Sequence, residues 1–454
     1  MIGHIVRKEI LNNLRSIRVV TLIGICLFLG IASILIFTAQ FEQRRESYQA
    51  NEKAHAHRLE NAPHTWWLYL AGYDFSVPPP KLSIFSQGLS GQIQGSYRVK
   101  EEGAYRTEEA IGYQNPILGL FFPPDFLFLA RLLGGLMALL VVYDCLVRER
   151  EEGTLLLLFA NALPRHSFLL GKWLGNYLII AVAFPLALVL GILLSTALFG
   201  VSYSLQELGH LGLMGLFILA YLAVFCSLGL LISVSARSSS TALLMSLAGW
   251  VLLSVVLPGL GKETARSLWP VPASGRVESQ RYQVKWQLHG ELERALEAIE
   301  YDWTRTDLSQ QKDQMERKQF EKQSDRIWGL TESYLNQLNR QEAVLATLSR
   351  LTPGGSLVHL NTGLAQSGQD DLQRFRRSVW AYHRDFTRYC LDKMAAVGNE
   401  TSTRFDDLPH YSLPVWNFRS WMAKEWVDVL LLLLWNVLFF LIAFVRFLRV
   451  NLVF

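Results

Sequence analysis

The sequence is short of charged residues and of cysteine, and each shortage excludes a class of protein. Asp, Glu, Lys and Arg make up 18% of its 454 residues, whereas soluble domains carry about 25%. Three of the four cysteines lie inside apolar runs, so they cannot form the disulfide framework of a small secreted protein. The net charge of +4 is small and dispersed, which excludes a nucleic-acid partner.

Motifs for catalysis are also missing. The closest match to a G-x-x-x-x-G-K-[ST] phosphate loop, residues 259–263, has glutamate after the lysine. H-E-x-x-H and G-x-S-x-G patterns do not occur. His55, His57 and His64 lie close together, but neither cysteine nor a patterned carboxylate accompanies them, so we predict no metal site. We expect a non-catalytic chain that holds no cofactor and hydrolyses no ATP itself.

Long apolar runs dominate what is present, since 51% of the residues are hydrophobic. A helix needs about 20 apolar residues to cross a membrane, and six segments reach or approach that length. Arg131, Asp144 and Asp428, the charges within them, lie near their ends, which argues against an ion-driven carrier. The pattern predicts an all-α polytopic membrane protein with six transmembrane helices, at residues 19–39, 126–147, 173–199, 211–236, 238–261 and 426–447.

Lysine and arginine concentrate in one set of short flanking segments, whereas the loop at 200–210 on the opposite side has none. Because cytoplasmic flanks carry the excess of positive charge, we expect both termini in the cytoplasm, with a short tail at 448–454. The first apolar run is too long for a cleaved signal peptide and is predicted to be a retained anchor. The flanking basic residues are Arg7, Lys8, Arg15, Arg18, Arg148, Arg150, Arg165, Lys172, Arg237, Arg446 and Arg449.

The first 18 residues have the pattern of an amphipathic helix. Apolar side chains recur every three or four positions, with Arg7, Lys8 and Arg15 between them. We predict a cytoplasmic helix over residues 1–18 that lies in the membrane interface of the lipid bilayer, its cations toward anionic headgroups. Ordinary positive flanking charge is the alternative, and the two are compatible.

Two long segments remain outside the membrane. The second, 262–425, contains a long proline-free stretch with apolar stripes at helical spacing that begin at Leu288 and Ile327. A third stripe begins at Leu372, after a break at 352–355. The stripes predict a helical hairpin or small bundle. Its helices either pack only against one another or also form a stalk that binds a ligand or partner.

The first outer segment, 40–125, changes composition along its length. It begins with a charged helical stretch at Glu42–Glu60 and then becomes rich in aromatic residues, proline and glycine. Aromatic rings with polar groups favour the headgroup level of a membrane. We therefore expect four side chains there, those of Trp66, Trp67, Tyr69 and Tyr73.

The connection at 148–172 carries a dense run of charge. Gly153 permits a reversal, and Thr154 can cap the short apolar helix predicted after it. Asp144 and Arg148 are four residues apart and are spaced to form an ion pair at the membrane edge. A short charged helix along the membrane is suited to docking a soluble partner, although such a run is also typical of a solvated flank.

The segment 144–172, with its charged run, Gly-Thr-Leu, proline and Gly-Lys, resembles the permease subunits of type-2 ATP-binding-cassette (ABC) exporters. The stretches 235–258 and 78–89 resemble the subfamily with large extracytoplasmic domains, as do residues 351–353 and the helix around Phe375. The likeness spans nearly the whole chain.

The resemblance implies pairing with a second permease, identical or paralogous, in the cytoplasmic (inner) membrane of a bacterium. It also implies separate ATPase subunits that bind ATP and Mg²⁺ and grip the N-terminal helix and the short helix after Gly153. ATP-driven closure of those subunits would switch the spans and export a substrate. The residues implied to couple ATPase and spans are Arg148, Glu149, Arg150, Glu151, Glu152, Gly153 and Thr154.

The outer segments depart from simple members of that family, whose outer loops are short. A second hypothesis is therefore mechanotransmission, in which ATP hydrolysis moves the outer domain against a periplasmic or envelope partner and nothing crosses the bilayer. A third is a membrane-anchored scaffold or sensor that needs no ATP. The sequence does not identify a substrate.

Overall fold

The computed structural model describes residues 2–107, 124–155, 164–298, 306–398 and 404–449. Within them the chain is mainly helical, and six helices are long and apolar enough to cross a membrane. The predicted helical architecture with six spans is confirmed, and the chain also contains one small sheet. The spans are Ile17–Glu60, Phe126–Glu151, Arg165–Phe199, Leu205–Ser235, Ser239–Leu268 and Phe418–Leu448.

The elements before the third span are α1 (Ile2–Arg15), α2 (Ile17–Glu60), α3 (Thr65–Ala71), β1 (Tyr73–Val77), α4 (Ser90–Ile93), β2 (Gly95–Lys100), β3 (Gly103–Arg106), α5 (Phe126–Leu129), α6 (Gly135–Val142) and α7 (Val147–Glu151). Those that follow are α8 (Arg165–Phe199), α9 (Leu205–Ser235), α10 (Ser239–Val251), α11 (Leu257–Leu268), α12 (Ser274–Ala298), α13 (Thr306–Arg350), α14 (Pro353–Leu364), α15 (Gln369–Val397) and α16 (Phe418–Leu448).

The first span helix extends far beyond its apolar run. The predicted span at 19–39 and the charged stretch at 42–60 form one unbroken helix, α2, of 44 residues, about 66 Å long. Its apolar part packs along α8, where a Cβ on Gly191 would lie 2.4 Å from Ile34 Cδ1. The charged part enters a domain outside the spans, so α2 joins the two parts of the molecule.

A π-helical turn at Ala130–Gly134 interrupts the second span. Such turns release backbone carbonyls from the α-helical pattern. The hydroxyl of Tyr221 on α9 donates to the Arg131 carbonyl oxygen at 2.7 Å. The indole N–H of Trp250 on α10 donates to the Leu132 carbonyl oxygen at 3.2 Å. The interruption therefore joins the second, fourth and fifth spans by hydrogen bonds.

The extramembrane domain consists of the end of α2, α3, α4, the three strands, α12, α13 and α15, whereas α14 packs against the fourth and sixth spans. Its antiparallel sheet has the order β1-β2-β3, with Phe75 opposite Tyr97, and the sequence analysis did not predict it. Tyr69 is completely buried and contacts Phe320 of α13. The expected place of Tyr69 at the headgroup level is wrong, because aromatic residues of this segment form the core of the domain.

The apolar stripes of the second outer segment do lie in helices that pack together. Leu288 on α12, Ile327 on α13 and Phe386 on α15 are buried; the end of the first stripe, beyond residue 298, lies outside the described residues. The predicted break at 352–355 is the start of α14, where Thr352 Oγ1 accepts the backbone N–H of Gly355 at 3.0 Å. The hairpin or small-bundle prediction thus describes these helices correctly.

The long helix α13 ends against the sixth span. Arg350 lies 2.8 Å from Glu425 Oε2 and 3.2 Å from Asp428 Oδ2, both on α16. The indole N–H of Trp435 donates to the Leu351 carbonyl oxygen at 3.2 Å. The extramembrane domain is therefore anchored to the sixth span by charged and polar contacts.

One histidine in the domain core is held neutral by its surroundings. His383 on α15 is 2% exposed, and its Nε2 donates to the Lys100 carbonyl oxygen at 3.0 Å. Burial lowers the pKa of His383 from 6.5 to about 4. The unfolded chain binds a proton at His383 more readily than the folded chain does. The free energy of unfolding therefore decreases as the pH falls from 6.5 toward 4.

We predict that His383 costs the domain about 3 kcal/mol of stability between pH 6.5 and pH 4. The His383→Gln variant, which retains a donor, should show a shallower loss over that pH range. Thermal unfolding followed by tryptophan fluorescence from pH 4 to 7.5 measures the difference. His57→Gln at an exposed position is the control, and an equal effect of both substitutions would contradict the prediction.

Candidate coupling site

The charged loop, residues 148–154, follows a break at the end of the second span. After α6 the chain turns at 143–146, which leaves backbone N–H groups outside the helical pattern. The Ser233 hydroxyl on α9 accepts from the N–H groups of Leu146, at 2.9 Å, and Val147, at 3.3 Å. A single buried side chain of the fourth span thus fixes the direction in which the loop leaves the second span.

Glu149 connects the loop to two other helices through one lysine. Lys172 Nζ on α8 lies 2.6 Å from Glu149 Oε1 and 2.8 Å from Glu9 Oε1 on α1. Lys172 and Glu9 are buried, at 4% and 6% exposure. Removing three charges from water is costly unless they compensate one another, and here the lysine lies between the two carboxylates.

Arg150 and Glu151 connect the loop to the corner between the fourth and fifth spans. The guanidinium of Arg150 donates to the carbonyl oxygens of Val234, at 3.2 Å, and Ala236, at 3.1 Å. The Glu151 carboxylate accepts from the backbone N–H of Ser239 at 2.9 Å and from its hydroxyl. This carboxylate therefore binds the first turn of α10, where backbone N–H groups are free and negative charge is favoured.

The expected ion pair between Asp144 and Arg148 is not the one that forms. Asp144 Oδ2 lies 3.2 Å from Arg18 on α2, and Arg18 also donates to the Tyr143 hydroxyl at 2.9 Å. Arg148 instead pairs with Glu152 at 2.9 Å. Asp144 lies within the turn at 143–146 and Arg148 lies in the helix after it, so their spacing in sequence does not place them on one regular helical face.

Arg148 and Glu152 are exposed charges of the loop, with 68% and 51% of their side chains accessible, and Glu151 is exposed beside them. Gly153 has φ +72°, a conformation that favours glycine, and it makes the predicted reversal. The Thr154 hydroxyl donates to the Glu149 carbonyl oxygen at 3.2 Å. The short apolar helix predicted after it falls on residues 156–163, outside the described residues. The exposed surface of the loop is therefore small and centred on the reversal.

The amphipathic N-terminal helix is α1, and it packs on the start of α8. A Cβ on Gly171 would lie 2.9 Å from Ile5 Cβ, and one on Gly175 would lie 2.5 Å from Glu9 Cβ. The absence of side chains at both glycines permits this close approach. The three predicted interfacial cations all lie on the exposed side of the helix: Arg7, Lys8 and Arg15.

Three side chains that hold the loop were not identified from the sequence as site residues. Glu9 is the only acidic residue of α1. A single carboxylate in an otherwise basic helix is a sequence signal that could have marked it as a site residue. In the sequence Lys172 is a flanking positive charge and the end of the Gly-Lys motif, and Ser233 lies in an apolar run with no distinguishing signal. No cluster of three metal-binding side chains occurs within the described parts of the chain. The arrangement is suited to transmitting force between helices.

We predict that Ser233→Ala destabilises the protein by about 1–3 kcal/mol, because it leaves two buried backbone N–H groups without an acceptor. The measurement is thermal unfolding of the full chain in detergent, with hydrogen exchange at residues 146 and 147. Ser235→Ala is the matched control, because the Ser235 hydroxyl donates only within its own helix, to the Leu231 carbonyl. Equal losses in the two variants would count against the proposed role of Ser233.

Comparison with known proteins places the whole chain in one family. The family model for ABC-2 family transporter protein matches residues 4–452. The probable ABC transporter permease protein NosY of Pseudomonas aeruginosa strain PAO1 is 54% identical over 55 residues, 12% of this chain and 20% of that protein. NosY of Stutzerimonas stutzeri is 51% identical over 55 residues, again 12% and 20%. The chain thus matches about a fifth of the length of these curated relatives.

Six helices in the chain are long and apolar enough to cross a membrane, and the family model matches nearly every residue. The chain therefore belongs to the ABC-2 transporter family and is a transmembrane ABC permease.

Proposed function

We propose that the chain is the permease subunit of an ATP-driven exporter in the cytoplasmic membrane of a bacterium. Both termini and the charged loop face the cytoplasm, and the extramembrane domain faces the opposite side. A separate ATPase subunit binds ATP and Mg²⁺, and a second permease, identical or paralogous, completes the path for substrate. The observation that carries the proposal is the set of ion pairs and hydrogen bonds that join the charged loop to α1 and the other spans.

A displacement of the loop has a direct route to most of the membrane part. Through Lys172 it reaches α8 and α1, and through Arg150 and Glu151 it reaches α9 and α10. Just before the loop, Asp144 connects the second span to Arg18 on α2. Closely packed helices move as rigid bodies between discrete arrangements. A push on the loop therefore shifts the first five spans together.

Six of the seven residues of the loop divide into two roles in this proposal. Arg148, Glu152 and Gly153 are exposed and form the surface that the ATPase contacts. Glu149 and Arg150 face inward and hold the loop to the spans, whereas the exposed Glu151 reaches back to α10. The exposed N-terminal cations, among them Lys8 at 4.0 Å from Glu149 Oε1, lie beside this surface. None of these groups does chemistry; they transmit force.

We predict that Arg148→Ala together with Glu152→Ala weakens binding of the ATPase by about tenfold or more, since 1.4 kcal/mol of lost contact corresponds to that factor. Co-purification of the ATPase with the full-length permease and the ATPase rate of the complex are the measurements. The control removes the exposed Arg404–Asp406 pair of the extramembrane domain. Unchanged ATPase binding in the loop variant would overturn the proposal.

The extent of α2 favours mechanotransmission as a second candidate function. This helix starts beside Asp144 and ends in the extramembrane domain, so movement at the loop can reach the domain without passing through a substrate path. The domain is also anchored to the sixth span through Arg350. In this function the moving domain acts on an envelope partner.

Proteoliposomes that contain the permease and its ATPase distinguish the two functions. Export predicts ATP-dependent flux of a co-encoded or co-purified substrate, whereas mechanotransmission predicts no flux. Mechanotransmission also predicts an ATP-dependent change in the accessibility of the domain, read by hydrogen exchange of α12 and α13. ATP-dependent flux with an unchanged domain would rule out mechanotransmission.

A further inference from the structure

Lys172 is a lysine almost without access to solvent at the edge of the membrane part. Only 5% of its side chain is exposed. Its ammonium group has one carboxylate at 2.6 Å, another at 2.8 Å, and the ring of Phe168 at 5.7 Å. An ordinary flanking lysine extends its charge into water. This one is enclosed by groups from three different elements.

The backbone on both sides of Lys172 is pressed against α1. Gly171 and Gly175 lie within one turn of it, and α1 occupies the space where their side chains would be. One helical turn further, the Asn13 side chain on α1 donates to Asn176 Oδ1 at 2.7 Å. The close fit holds Lys172 between Glu9 on α1 and Glu149 on the charged loop.

Stability alone does not account for these three charges. Apolar side chains of similar volume usually stabilise a buried site as well as a compensated ion pair does, or better. A charged contact differs from an apolar one in specificity, because a lysine between two carboxylates favours one arrangement of the three elements. Buried polar contacts have that role where a register must be defined.

We propose that Lys172 is a positioning residue that makes the N-terminal helix and the charged loop move as one unit. This role rests on the proposed function, because it concerns how the force exerted by an ATPase is distributed between α1 and the charged loop. Glu9 and Glu149 do not contact each other in this arrangement; each contacts the lysine. Force on the loop therefore reaches α1, and through it the start of the first span, by way of the buried Lys172 ammonium group. The direct contact between Lys8 and Glu149 is longer, at 4.0 Å, and its lysine is exposed.

Hydrogen exchange of the full-length permease in nanodiscs tests the connection without any ATPase. Lys172→Met should raise exchange by about tenfold in both α1 and residues 147–155, although these segments are far apart in sequence. Lys172→Arg, which keeps the charge, should retain most of the protection. Lys81→Met is the control, because it breaks a lysine–glutamate contact, with Glu207 in the first turn of α9, that involves neither α1 nor the charged loop. An increase confined to one segment would overturn the proposal.

A triple variant separates positioning from simple destabilisation. Glu9→Gln, Lys172→Met and Glu149→Gln together remove all three buried charges, so no unpaired charge remains to unfold the region. We expect the melting temperature to recover while exchange in α1 stays about tenfold above wild type. Wild-type protection in the triple variant would show that packing at the glycines is sufficient and would refute the role of Lys172.

Hydrogen exchange of the permease in complex with its ATPase tests whether α1 and the charged loop move together. In the wild-type complex, ATP should change exchange in α1 and in the loop together; in the triple variant, only the loop should respond. Parallel responses in both proteins would overturn the proposal. Failure of the wild-type permease to bind an ATPase would instead remove the proposed function, and the result in nanodiscs would still stand.

Discussion

Polar groups within the membrane part must find partners inside the protein, and this constraint determines where its helices are joined. An unpaired N–H or carbonyl group in hydrocarbon costs several kcal/mol. Where the second span breaks its helical pattern, Tyr221 and Trp250 supply donors for two carbonyls. Where the same span ends, Ser233 supplies an acceptor for two N–H groups. Each interruption in one helix therefore becomes a contact with another.

The same constraint operates on charge at the two ends of the spans. At one end, Lys172 lies between two carboxylates from different elements. At the other, Arg350 lies between Glu425 and Asp428 on the sixth span. Charges that are buried and compensated hold helices in a particular arrangement. The charged loop and the extramembrane domain are thus each fastened to the spans, and α2 runs from one to the other.

The helices were predictable because their signals are local. Apolar runs and stripes at Leu288, Ile327 and Leu372 depend only on neighbours along the chain, and the structure has helices at all of them. The sheet was missed because β1, β2 and β3 have four to six residues each. Their aromatic residues also suit a membrane interface, and only packing against α15 shows that they form a core.

The sequence by itself determined the number of the spans, the position of the charged loop and the likeness to ABC permeases, because hydropathy, charge and spacing can be read from local residues. Only the tertiary structure decided which charges pair. Glu9 lies 163 residues before Lys172 in the chain, and Arg150 lies 84 residues before Val234. Such partners meet only when helices distant in sequence pack together, and no local pattern encodes that meeting.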